Sequence, residues 1–80
     1  MADLVQEAAS KLVEEFIQRG IHQYNYTFDD DILSKYKGKF NEGKLKLLKT
    51  TIEDGYDGIN VQIININNEG DLLILSKSQW

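Results

Sequence analysis

The chain has 80 residues, 41% hydrophobic and 28% charged, with a net charge of −4, no cysteine and no proline. That length supports a single domain, 1–80, with one thin core, and the composition excludes a disordered tail. The lack of cysteine excludes disulfides, thiolate metal sites and cysteine nucleophiles, and no apolar run is long enough to cross a bilayer.

The N-terminus is acidic and amphipathic where a signal peptide would be basic and then apolar, so a cytoplasmic protein with no membrane partner is expected. Charge is segmented along the chain. Residues 35–49 hold six lysines against Glu42 alone, a local balance of +5, while the rest carries three basic and twelve acidic side chains, or −9.

From Leu4 to Ile17 the apolar residues fall in pairs four apart: Leu4 and Val5, Ala8 and Ala9, Leu12 and Val13, Phe16 and Ile17. This spacing predicts an amphipathic helix, with Asp3 as N-cap, Gln6 at N3 and Gly20 in the left-handed position that ends it. Ala8 and Ala9 leave room at mid-stripe for the helix to lie across a sheet. In "IHQYNYTF", residues 21–28, aromatic side chains alternate, which predicts a strand. "DDDILSKYKG" offers an acidic N-cap, helical spacing of Ile32, Leu33 and Tyr36, and Gly38 as a stop, so a two-turn helix competes there with a strand over 35–40.

Asn-Glu-Gly occurs twice, at 41–43 and 68–70, and both copies read as hairpin turns with glycine in the left-handed position. The segment after the first, "GKLKLLKTTIED", places Leu45, Leu48 and Ile52 on one helical face, but the run Thr50, Thr51, Ile52 favours a strand. Two Asp-Gly pairs in "IEDGYDGI", residues 52–59, then read as a six-residue hairpin loop. In residues 59–67, Ile59, Val61 and Ile63 point one way and Ile64 and Ile66 the other, as expected of a bulged strand or of a central strand covered on both faces. "DLLILSK", residues 71–77, is the last strand. The fold expected is α+β: an N-terminal helix packed on a small antiparallel sheet of three to five strands, ending in a meander of 44–52, 59–67 and 71–77.

The chemistry of the side chains points away from catalysis. "NINNEGDLLILS", residues 65–76, matches a calcium loop at Asn65, Asn67 and Gly70 but lacks the carboxylates at its first and twelfth positions. His22 is the single histidine, so neither a two-histidine metal site nor a serine triad with a spare base can be assembled. No glycine pattern cradles phosphate. A non-enzyme is expected, with no catalytic, cofactor-binding or metal-binding residues.

The acids Asp29, Asp30, Asp31, Glu53, Asp54, Asp57, Glu69 and Asp71 fall at turns and element ends, where they could line one edge and imitate nucleic acid. With Tyr56 and Trp80 as exposed aromatic anchors, they are the candidate partner-binding residues. The expectation is a small acidic protein-binding module, an inhibitor or adaptor such as a phage or mobile-element anti-defence protein. The alternative is a nucleic-acid binder using Lys35, Tyr36, Lys37, Lys39, Phe40, Lys44 and Lys46, with "KYKGKF" extended so that cations line one face and aromatics the other. The same lysines could instead protect an edge strand. A homodimer through a free edge, with 71–77 as the candidate strand, is a further expectation.

Overall fold

The computed structural model describes residues 3–65 and 70–78. It has the expected α+β class, with elements α1 (Leu4–Arg19), β1 (Gln23–Thr27), α2 (Glu42–Gly55), β2 (Ile59–Asn65) and β3 (Asp71–Lys77). The three strands form one antiparallel sheet in the order β1-β3-β2. β1 and β2 therefore run the same way, joined by a crossover that carries α2, and β3 inserts between them.

α1 forms as its sequence predicts. The Asp3 side chain accepts a hydrogen bond from the Val5 N–H at 3.2 Å, and Gly20 closes the helix at φ 65°, where a side chain would be strained. Val5, Ala8, Ala9, Leu12, Val13 and Phe16 are all buried. Two polar clamps hold the helix down. The Tyr26 hydroxyl donates to Glu15 at 2.6 Å, and the Tyr36 hydroxyl donates to Glu7 at 2.7 Å.

Between β1 and α2 the expected two-turn helix is reduced to turns and one 3-10 turn, Ser34–Tyr36, and no strand forms over 35–40. Asp30 does not cap a helix; its carboxylate accepts from the Thr27 N–H at 3.0 Å. Leu33 and Tyr36, fully buried, anchor this segment to the core, and Gly38 turns it at φ 78°.

Residues 44–52 are helical, which overturns the expected strand, the meander and the hairpin loop at 53–58. Asn41-Glu42-Gly43 is a helix start and not a hairpin turn: Asn41 is extended, and its side chain accepts from the Lys44 N–H at 2.8 Å. The stripe of Leu45, Leu48 and Ile52 is buried against the rest of the core, and that burial outweighs the weak strand preference of two threonines and an isoleucine. The helix ends at Gly55, and Gly58, at φ 82°, turns the chain into β2.

The strand order corrects two further expectations. The central strand is β3 and not 59–67, so 71–77 offers no free edge; the edges are β1 and β2. A near-continuous apolar run, Leu72 to Leu75, suits the position that has a neighbour on both sides. The register runs without a bulge from Ile59 opposite Lys77 to Asn65 opposite Asp71. Ile59, Val61 and Ile63 face the helices while Ile64 faces away; Ile66 lies outside the described residues.

Candidate functional site

The acids do not converge. Register puts Thr27, Leu72 and Ile64 at one end of the sheet and Ile59 and Lys77 at the other. Asp29, Asp30, Asp31 and Asp71 therefore lie by the first end and Asp54 and Asp57 by the second, about 20 Å away along the strands.

Several acids also have work inside the fold. Asp29 holds Lys37 at 2.5 Å, Asp71 accepts from the Asn65 side chain at 3.2 Å, and Asp30 holds the backbone of Thr27. Glu53 accepts from Lys49 at 2.8 Å and, through its other oxygen, from the Val61 N–H at 2.9 Å. Those donors, Lys49 first, hold its carboxyl below the usual carboxylate range. Asp30 and Glu53 thus each occupy a backbone donor on an edge strand, β1 and β2 respectively. Tyr56 is half-buried against the core, Asp31, Asp54 and Asp57 are exposed, and Trp80 and Glu69 lie outside the described residues.

The lysine-rich segment builds no stacking platform. It is not extended: Tyr36 is buried with its hydroxyl bonded to Glu7, and Phe40 is half-buried between Tyr36 and Phe28, with ring centroids 5.9 and 5.5 Å away. Lys35 binds Glu7, and Lys46 stands 3.8 Å from Glu42. Lys39 and Lys44 are exposed and make no ion pair among the described residues.

What the structure does assemble is a sheet face that no motif announced. Strand alternation sends Tyr24, Tyr26, Leu73, Leu75, Val61 and Ile63 toward the helices. The opposite face has three rows: Gln23, Ser76 and Asn60; Asn25, Ile74 and Gln62; Thr27, Leu72 and Ile64. None of these nine residues is buried, and none is charged, in a chain whose residues are 28% charged. Ile64, Leu72 and Ile74 make an apolar patch that reaches the Asp71 end of this face, half-buried by their neighbours, and amides and hydroxyls make up the rest.

The signal for this face lay in the stretches "IHQYNYTF" and "INVQIININN", which contain no charged residue. The core residues of both helices pack on the other side of the sheet, and at one end of this face Thr27 and Leu72 line a hollow with Phe28, Asp29, Lys37 and Phe40. No helix among the described residues is long and apolar enough to cross a membrane. Comparison with protein families, with curated proteins and with solved structures gives no match to this chain.

Proposed function

We propose that the protein works without chemistry of its own, as a small protein-binding module of the inhibitor or adaptor kind, and that its contact surface is the uncharged face of the sheet. What supports this reading is the composition of that face. An apolar patch continued by neutral hydrogen-bonding groups and depleted of charge has the composition of the core of a protein interface. A nucleic-acid backbone calls for cations instead, and this face has none. The acids at the two ends of the sheet then act as a polar rim that steers approach and discourages wrong partners.

The test introduces charge into the face without touching the core. Asn25→Asp replaces an exposed amide by its near-isosteric acid, and Ile74→Arg places a cation in the apolar patch, in the middle row of the face. The tagged wild-type chain should recover a dominant protein from a lysate of its source. Both variants should fold, as circular dichroism would report, and lose that protein by about tenfold or more, since burying an unpaired charge at an interface costs more than 1.4 kcal/mol. Lys39→Glu should retain it. Recovery unchanged by Asn25→Asp and Ile74→Arg would place the contact elsewhere, and salt-sensitive recovery of nucleic acid would favour the lysines.

A further inference from the structure

β2 is an edge strand, and two hydrogen bonds fix which of its backbone groups face outward. The Ser78 N–H donates to the Gly58 carbonyl at 2.8 Å, and the Val61 N–H donates away from β3, to Glu53. In an antiparallel ladder the bonded positions alternate, so Asn60, Gln62 and Ile64 pair with β3 while Val61, Ile63 and Asn65 turn their N–H and C=O groups outward. Glu53 covers the Val61 donor. The backbone groups of Ile63 have no such cover among the described residues.

Beside Ile63 runs a groove of about 630 Å³ between β2 and α2. Leu45 and Ile63 supply its apolar part, Lys46 and Lys49 stand along the helix wall, and Glu42 and Asp71 lie among its lining. Lys49 is held by Glu53 at 2.8 Å. Lys46 is 77% exposed and 3.8 Å from a Glu42 that is 88% exposed, a loose pair that contributes almost nothing. The groove therefore offers three things in a row: an unpaired strand backbone, an apolar slot and one weakly committed cation.

We propose that this edge takes an extended segment of another protein as a fourth strand, its backbone paired with Ile63 and an acidic side chain held by Lys46. A residue of the segment opposite Ile63 points its side chain to the helix face of the sheet, against Leu45, as does the residue two positions away. The segment accordingly carries an acid two residues from an apolar side chain. A second copy of this chain fits less well. Each copy brings an α2 packed on its own β2, and strands about 4.8 Å apart would press those helices closer than the 8–10 Å that helix packing requires. The mixed signs along the groove likewise make it no track for a polyanion.

The proposal uses the edge of β2 and its groove, which share Gln62 with the uncharged face, and its test is distinct from that of the function proposed above. The experiment pans the full chain against a display library of random peptides about eight residues long, enough to run past the strand. Enriched peptides should show an acid two positions from an apolar residue. Lys46→Glu should weaken them about tenfold and, panned itself, should enrich basic residues at the acid's place. Ile63→Pro, which removes an outward N–H that an edge strand does not need for folding, should weaken them similarly, with circular dichroism checking the fold. Asn25→Asp, on the other edge, should leave peptide binding unchanged. The proposal is overturned by absence of enrichment, by enriched peptides indifferent to both Lys46→Glu and Ile63→Pro, or by a dimer in sedimentation that Ile63→Pro dissociates.

Discussion

Glu7 is the residue that ties α1 to the turn at Ser34–Tyr36. Its carboxylate accepts from the buried Tyr36 hydroxyl and from Lys35, with Lys11 at 3.8 Å on the same helix. Lys35 chiefly, then Tyr36, hold the acid below its ordinary value, while burial pushes the Tyr36 hydroxyl up. In the sequence Glu7 stands four residues before Lys11, and its other partners are 28 and 29 positions away, beyond the reach of any local pattern. Tyr36→Phe removes one hydrogen bond and keeps the ring, so it should cost about 1 kcal/mol and lower the melting temperature by roughly 4–8 °C. Glu7→Leu should cost more, since it strands the hydroxyl of a fully buried tyrosine. Equal melting temperatures for the two variants would mean that the hydroxyl is not held as the structure shows.

At the scale of elements, α1 and α2 make a comparison. Both have an N-cap side chain and a buried stripe, yet only α1 reads plainly from sequence. α1 repeats its apolar pairs four times and contains no threonine, so local preference and burial agree. In α2 they disagree: Thr50, Thr51 and Ile52 lean toward a strand, Gly43 and Gly55 weaken a helix, and Asn41-Glu42-Gly43 imitates a hairpin turn. The Asn41 cap and the contact of α2 with α1 and β2 decide the matter. Asn41→Ala should therefore destabilise by about 1 kcal/mol, whereas Asn41→Asp should be near neutral. Urea midpoints of the two variants measure the difference, and an Ala variant as stable as the parent would remove the cap from this account.

The molecule as a whole depends on three carboxylates in structural positions. Glu7, Glu15 and Glu53 all sit below the ordinary value of 4.5, Glu15 because Arg19 chiefly, and then Tyr26, donate to it. Since the unfolded chain takes up those protons at higher pH than the folded one, their contribution is complete above the ordinary carboxylate range and is lost as pH falls through the folded values. The urea midpoint should be level above about pH 5.5 and fall between about pH 4.5 and 3. The triple variant E7Q/E15Q/E53Q should start lower and fall less steeply, and an unchanged slope would show that other acids govern acid unfolding. The class of fold, the first helix with both of its ends, and the strand character of 23–27, 59–65 and 71–77 were all determined by the sequence alone. Each of these rests on the order of side chains within a few residues: a periodicity, a cap, an alternation. The state of residues 42–55, the central place of β3, the edge of β2 and the uncharged face were decided only by tertiary structure. Each of them depends on which segments distant in the chain come together, so that acids which looked free became hydrogen-bond acceptors for the fold, and uncharged residues on three separate strands became one surface.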